Sequence, residues 1–222
     1  MGVYSQSISG VINDYAEVTF VGTNSVDVTD ASAFQSGDKV LLIQMKGATI
    51  TTGNVPDFGT ITNQNSAGVF EFILVSSVSN LTISFETDLC QFFDLSGNVQ
   101  IVRIPLHTDA IISGQLSANP WDGTTGGVLV LEASNSITFN ADINVIGSGF
   151  QGGQISVGSF SCGDPNWANM NGGQKGEGIA VPPNNQSENR APLANGGGGS
   201  NTGNPGAGGG ANGGQGGRGG NE

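Results

Sequence analysis

Between residues 129 and 145, apolar and polar side chains alternate almost without a break. The odd positions read Leu129, Leu131, Ala133, Asn135, Ile137, Phe139, Ala141, Ile143 and Val145. The even positions read Val130, Glu132, Ser134, Ser136, Thr138, Asn140, Asp142 and Asn144. A period of two is the pattern of strands with one buried face. The stretch is longer than an ordinary strand. Ser134, Asn135 and Ser136, then Asn140, Ala141 and Asp142, are turn formers, because short polar side chains bond to the neighbouring backbone. The pattern therefore predicts three short strands joined by tight corners, fenced by Gly-Gly pairs at 126–127 and 152–153.

The chain before this unit also reads as strands. Val18, Phe20, Val26 and Val28 alternate with polar residues around a turn at Gly22, Thr23 and Asn24. Residues 30–34 suit one helical turn with Asp30 as its N-cap. Residues 39–45 are a continuous apolar run, as in a strand buried on both faces. Residues 46–68 lack periodicity and predict a long loop. Strands follow at 69–75, 81–85, 99–104 and 110–112, with Pro105 ending one ladder. No stretch holds a 3.6-residue apolar period over three turns, so helix is expected to be minor.

After residue 153 the alternation fails, apart from Ile155 and Val157, which suggest one last strand. Of the 38 glycines, 25 lie beyond Ile146, and residues 196–220 hold 15 of them. Ordering glycine costs about 0.5–1 kcal/mol per residue more than ordering alanine. Such a segment is either a flexible linker or a set of packed polyproline-II strands whose backbones touch. It lacks a strict Gly-X-Y period, which excludes collagen. The expected division is a β-rich domain over 1–157, with a lead-in to 118 and the short-strand unit at 119–157. A segment rich in Gly, Asn and Pro follows over 158–222. The expected fold class is mainly β, either β-helix-like or an irregular β-sandwich, with a glycine-rich extension.

Six basic against 18 acidic residues give a net charge of −12. Nucleic acid is not an expected partner, since it requires a basic patch. Anionic membranes are not expected to attract the chain by charge. No stretch approaches the ~18 apolar residues of a membrane span. The first residues show no basic segment followed by an apolar core, and the last lie within low complexity. The chain is expected to be an excerpt of something larger.

Two cysteines, Cys90 and Cys162, are either unrelated small buried side chains or a disulfide. A disulfide would close a long loop, worth about 4 kcal/mol by chain entropy. No metal or other cofactor is expected: His107 is the sole histidine, and Cys-x-x-Cys and calcium-loop patterns are missing. His107 is expected at the surface. Trp121, in a turn at 119–123, is either a core-capping side chain or a platform for sugar stacking. Arg103, inside an apolar strand, is expected to pair with Glu71 or Glu86. Glycine-rich phosphate cradles need a helix after the loop, and none is expected.

Several phrases occur in a telling order: ISGVINDYAEV, SGDKVLLIQMKGA, FGTI, GNVQIVRIP, NPWDGTTGGVL and GSGFQGG, then the glycine tail. Together, over roughly 8–220, they resemble the N-terminal regions of very large adhesin-like surface proteins of gliding Bacteroidetes, exported by type IX secretion. The resemblance implies a cell-surface, extracellular location and brings no catalytic motif. A looser similarity to right-handed β-helix proteins rests on Asp30 to Val40, which fits their D-A-S-x-F-x-x-G-D-x-V entry segment.

The functional expectation is a structural and adhesive module, not an enzyme, that presents or caps a surface fibre. Its partners would be other domains of a larger surface protein, with glycans or cell-surface proteins. One alternative is a lyase-like β-helix enzyme acting on polysaccharide, which requires clustered carboxylates beside Lys or Arg, for example Asp109, Glu132 and Arg103. Another is a receptor-binding polyproline-II bundle built from the glycines.

Overall fold

A computed structural model describes residues 5–154, 166–200, 207–210 and 217. The chain is mainly β; the one helical piece among the described residues is a 3-10 turn, Leu95–Gly97. It divides into two units. The first comprises Met1–Gln44 and Val69–Gly149, and the second comprises Met45–Gly68 and Phe150–Glu222.

Unit 1 opens with β1 (Ser5–Val11) and then builds a barrel. Its strands are β2 (Asp14–Val21), β3 (Ser25–Val28), β4 (Lys39–Gln44), β7 (Phe70–Ser79), β8 (Thr82–Phe85) and β9 (Val99–Ile104). They close in the order β2-β3-β8-β7-β4-β9, every pair antiparallel. The alternate residues point inward: Val26, Val28, Val40, Leu42, Val75, Ile83 and Ile101 are all at most 1% exposed. So small a barrel is filled by its own side chains. Closure also leaves no strand edge open.

The apolar run at 39–45 is explained by a second layer. Val40 and Leu42 fill the barrel, while Leu41 faces outward with Val102 and Ile104. Val128 and Val130 cover that outer face. Amide side chains anchor this covering strap. Gln100, fully buried, exchanges two hydrogen bonds with the backbone of Gly126, at 2.9 and 3.0 Å. Asn13 accepts from the Val130 amide and donates to the carbonyls of Val130 and Arg103. Each imitates one step of a strand ladder where no strand is available.

The rest of unit 1 is a parallel sheet, β1-β10-β11, with β10 at Leu106–Ser117 and β11 at Glu132–Phe139. Its core holds Ile8, Ala110, Ile112 and Leu116, packed by Leu129, Leu131, Ala133 and Ala141. Of the odd-numbered row read from the sequence, Leu129, Leu131, Ala133 and Ala141 pack on this core, while Ile137, Phe139, Ile143 and Val145 are exposed. The corner expected at Ser134, Asn135 and Ser136 is instead a bulge within β11. His107 pairs with Ala133 and Asp109 with Ser136, so one extra residue is accommodated on β11. Asp109 stabilises it by accepting from Asn135 Nδ2 and Ser136 Oγ. The second corner is real: β11 ends at Phe139, and Ile143 then bridges to Leu116. Pro105 does separate two ladders, but β10 starts at once and is far longer than the expected 110–112.

Unit 2 departs most from the sequence reading. Residues 46–68 carry a short antiparallel ladder, β5 (Thr49–Ile50) with β6 (Ile61–Asn63), and contribute Ala48, Ile50, Phe58 and Ala67 to a core. The other side of that core is Ala168, Ala180, Ala191, Leu193 and Ala194. The boundary therefore falls after residue 149, not 157, and the excursion at 45–68 joins the glycine-rich part. Phe58, with no exposure, had no visible partner because that partner is a set of alanines more than a hundred positions away. The strand suggested at Ile155 and Val157 lies outside the described residues.

Candidate functional site

In unit 2 the backbone itself is the packing material. Within β12 (Asn169–Gln174), Gly173 N–H donates to the Ser200 carbonyl, and just after it Gly176 N–H donates to that of Gly197. Both partners move three positions, in opposite directions. Gly199 N–H reaches the Asn189 carbonyl, and Gly208 N–H that of Gly198. There is no room for a side chain: a Cβ on Gly199 would meet the Gly173 carbonyl oxygen at 1.9 Å, and one on Gly196 would meet that of Gly176 at 2.4 Å. Around Gly196 and Gly199 the segment is therefore packed backbone, while Gly209 has open space beside it. Close approach of this kind is what glycine alone permits.

Lys175 sits inside this packing, 7% exposed. Its ammonium donates to the carbonyls of Trp167 and Asn189, each at 2.8 Å, and to that of Ala191. The Phe58 ring lies 4.8 Å from its Nζ. Burial pushes its pKa down to about 7, while three carbonyl acceptors and the ring face favour the charged form. Arg190 stacks on Trp167 at 3.6 Å. Lys46 pairs with Glu177 at 2.8 Å, and Glu177 also accepts from Gln151 N–H. All these charges tie turns together.

Unit 1 carries a polar cleft of about 440 Å³, lined by Asn13, Asp14, Asp30, Asn119, Asp122 and Thr125 among others. The cleft presents carboxylates and amides with little apolar wall. Its carboxylates are already engaged. Asp14 pairs with Arg103 at 3.1 Å. Asp122 accepts from the backbone N–H of Thr125 and Thr124 and from both hydroxyls. Asp30 accepts from Ser32 N–H in a plain turn, not the helical turn expected over 30–34. These donors, the backbone N–H groups foremost, hold Asp30 and Asp122 below the usual carboxylate range. Both are therefore ionised at neutral pH and hold no proton to donate.

The residues singled out from sequence do not assemble into one site. Trp121 is 2% exposed, packed under the chain at Gly127, and its main-chain N–H donates to the Ser148 carbonyl. It presents no face for a sugar and is a core residue. Arg103 pairs with Asp14 and Asp38, not Glu71 or Glu86. The antiparallel register explains this, since Arg103 stands opposite Asp14 on β2. Glu71 instead accepts from the amides of Cys90 and Gln91. Glu132 pairs with Lys39 at 2.7 Å, and Asp109 holds the β11 bulge. Asp109, Glu132 and Arg103 thus have separate partners. His107 is buried rather than exposed; its Nδ1 lies 2.8 Å from Gln6 Oε1, and burial lowers its pKa. Cys90 is exposed; Cys162, and with it the proposed disulfide, lies outside the described residues. Among the described residues, no group of three or more His, Cys, Asp or Glu side chains is placed to hold a metal ion.

Fold and site together define a mainly β protein that combines a closed antiparallel barrel, a short parallel sheet and a backbone-packed, glycine-rich unit. No protein-family model and no curated protein matches the chain. Three solved structures are similar at low score, all phage tailspikes. The tailspike of Pseudomonas phage phi297 has a TM-score of 0.32 and 11% identity over 63% of this chain and 20% of its own. That of Pseudomonas phage LKA1 has 0.28 and 12%, over 50% and 20%. That of Acinetobacter baumannii phage AP22, solved with a capsular saccharide, has 0.27 and 19%, over 60% and 23%. The matches span about a fifth of each tailspike, and no residue role is carried over from them. No helix among the described residues is long and apolar enough to cross a membrane.

Proposed function

We propose that this chain is a non-catalytic module of a large extracellular surface protein, and that it meets neutral glycans through the polar cleft of unit 1. The observation that carries this reading is the state of the cleft's carboxylates. Asp14, Asp30 and Asp122 are held by Arg103 or by backbone donors. A general acid needs a carboxyl group with a raised pKa, whereas Asp30 and Asp122 are held low. Ionised oxygens beside Asn119 and Thr125 suit hydroxyl donors and disfavour anionic sugars. The phrases shared with gliding-type adhesins support placement at a cell surface.

The parallel sheet supports a β-helix-like reading of the fold. Leu106 faces Glu132, 26 positions on, and Ile112 faces Phe139, 27 on. A near-constant offset is what successive coils of one β-helix have. In unit 2 the three-residue step between Gly173 and Gly176 supports polyproline-II packing, which has three residues per turn.

A glycan array carrying neutral and acidic polysaccharides tests the function. Binding to neutral glycans, weakened at least tenfold by Asn119→Ala with Asp122→Ala, is the expected result. Depolymerisation of any bound polysaccharide would replace the adhesive reading with the lyase-like one.

A further inference from the structure

The chain reads Asn-Gly-Gly at 171–173, 195–197 and 212–214, the last outside the described residues. Asparagine followed by glycine is the step most open to imide formation. The glycine nitrogen attacks the side-chain amide carbon of the asparagine, and glycine brings no side chain to obstruct it. Packing requires the glycine at 172. A Cβ there would meet the Ser200 carbonyl oxygen at 2.6 Å and Asn189 Cα at 3.1 Å. The fold of unit 2 therefore keeps a reactive step in its backbone.

The two described steps have different surroundings. Both ends of β12 bridge antiparallel to Glu188, at Asn169 and at Gln174. Between them the Glu188 carboxylate accepts the Gly172 N–H at 3.0 Å. That is the N–H whose proton must leave, and the separation is within the reach of a general base. Asn171 N–H donates to Asn169 Oδ1 at 2.8 Å, and the same oxygen accepts from Asn189 Nδ2. The backbone on both sides of the Asn171 side chain is thus tied down. The side-chain amide itself has no hydrogen-bond partner among the described residues. At the second step, Asn195 Oδ1 accepts from Ile179 N–H at 2.8 Å, and Gly196 N–H donates to the Leu193 carbonyl at 2.8 Å. There the side chain is engaged, and the acceptor on the nitrogen is a carbonyl, which takes up no proton at neutral pH.

We propose that Asn171–Gly172 is a site of spontaneous modification, with Glu188 as the general base for imide formation. The Glu188 carboxylate takes the Gly172 N–H proton as the nitrogen bonds to Asn171 Cγ. The bond from Cγ to the side-chain nitrogen breaks. That nitrogen takes the proton from Glu188 and leaves as ammonia. Water then opens the cyclic imide at either carbonyl. One product is aspartate in the normal linkage, and the other is isoaspartate, with the chain running through the side chain. Both place a new carboxylate near that of Glu188, and isoaspartate lengthens the backbone by one carbon. Gly172 and Gly173 are held by backbone contact with Asn189 and Ser200, which the added carbon must displace. Reaction at 171 therefore loosens the glycine-rich unit with time. It involves no group of the polar cleft, so its test stands apart from the glycan reading.

The test incubates the full chain at neutral pH and follows each Asn-Gly-Gly step by peptide mass spectrometry, with ammonia release as a second readout. The two described steps share their sequence, so in urea they should react at similar rates. In the folded chain Asn171 should react about tenfold faster than Asn195. Glu188→Gln keeps an oxygen to accept the Gly172 N–H but is no base, and should slow reaction at 171 about tenfold while leaving 195 unchanged. Hydrogen exchange of the 172–177 amides checks that the variant is folded, and should quicken in wild type as 171 reacts. If the variant loses that protection, the comparison of 171 with 195 in wild type still decides. Three results overturn the proposal. These are equal rates at 171 and 195 in the folded chain, a wild-type rate at 171 in a folded Glu188→Gln, or slower reaction at 171 in the folded chain than in urea. The last would show that Glu188 holds the Gly172 proton in place rather than removing it.

Discussion

Val40 and Leu42 fill the barrel of unit 1 with side chains; Gly173, Gly176 and Gly199 fill unit 2 by having none. In the barrel, each strand turns every second residue inward, and the apolar volume of those residues excludes water. In unit 2 the core cluster is mostly alanine, and glycine backbones lie against one another through N–H to carbonyl bonds. The first arrangement tolerates change of shape within limits, because side chains have rotamers with which to adjust. The second has no such freedom, since the atoms in contact belong to the chain itself. The two units should therefore fail in different ways, and substitution can separate them.

The largest effect is expected in the barrel. Leu42→Ala removes a fully buried side chain and leaves a cavity, which should cost about 2–5 kcal/mol. Urea unfolding read by hydrogen exchange of the β4 and β9 amides measures it. A loss below about 1 kcal/mol would mean that the barrel collapses around the gap, and that side-chain packing does not set its stability.

Gly199→Ala should come next. Its Cβ would lie 1.9 Å from the Gly173 carbonyl oxygen, so two backbones must part. Overpacking of this kind costs about 1–3 kcal/mol. The contrast sharpens with Gly209→Ala, where an added Cβ meets nothing within 4 Å. That change should lie within about 0.5 kcal/mol of neutral. Exchange rates of the 172–177 amides distinguish the two variants. If both are neutral, the glycine-rich unit is not held by close backbone contact.

This contrast also explains what could be read in advance. Val18, Val26, Val28 and the run at 39–45 announced their strands, because burial of side chains leaves a period in the sequence. The packing of Leu129, Leu131 and Ala133 was legible for the same reason, but the pattern did not show that Ile137, Phe139 and Ile143 stay exposed. Bulges are not: Ser134, Asn135 and Ser136 have the same turn chemistry whether they make a corner or an extra residue held by Asp109. Packed backbone leaves no period at all, so Gly196 and Gly199 looked equally like linker. The link between Phe58 and Ala191 was hidden by its sequence separation. Trp121 could have been either cap or platform, and only the fold of residues 126–127 over it decides. The polar cleft was missed because Asn13, Asp30 and Asp122 come from three distant turns and share no motif.

Lys175 gives a third, intermediate effect. Lys175→Met keeps the stem but removes the donors to Trp167, Asn189 and Ala191. The first two carbonyls also accept backbone amides, from Ala191 and Gly199. The expected cost is therefore about 1–3 kcal/mol, the range for a buried acceptor left unsatisfied. The pH dependence has a definite sign. Burial lowers the folded pKa to about 7 from 10.5. Between those values the unfolded chain binds the proton and the folded chain does not, so stability of unit 2 should rise with pH across that window. Lys175→Met should remove the rise. A wild-type stability that is flat from about pH 7 to 10 would show that the three carbonyls hold the proton after all.

The smallest effect belongs to His107 in unit 1. Burial lowers its pKa from 6.5, and its Nδ1 faces the Gln6 amide oxygen. Because Oε1 only accepts, Nδ1 carries the proton, and Nε2 is buried without a hydrogen-bond partner among the described residues. A second proton would have to go on Nε2, with no acceptor to receive it. The unfolded chain takes that proton more readily, so unit 1 should lose stability as pH falls below about 6.5. Several carboxylates also titrate toward acid, so the informative quantity is a difference. The urea midpoint at about pH 8 minus that at about pH 5 should be larger for wild type than for His107→Leu. Leu keeps the apolar contacts of the parallel sheet and cannot ionise. An equal difference in both proteins would mean that the start of β10 opens enough to hydrate the imidazole, and that the side-chain-packed unit is looser there than its barrel.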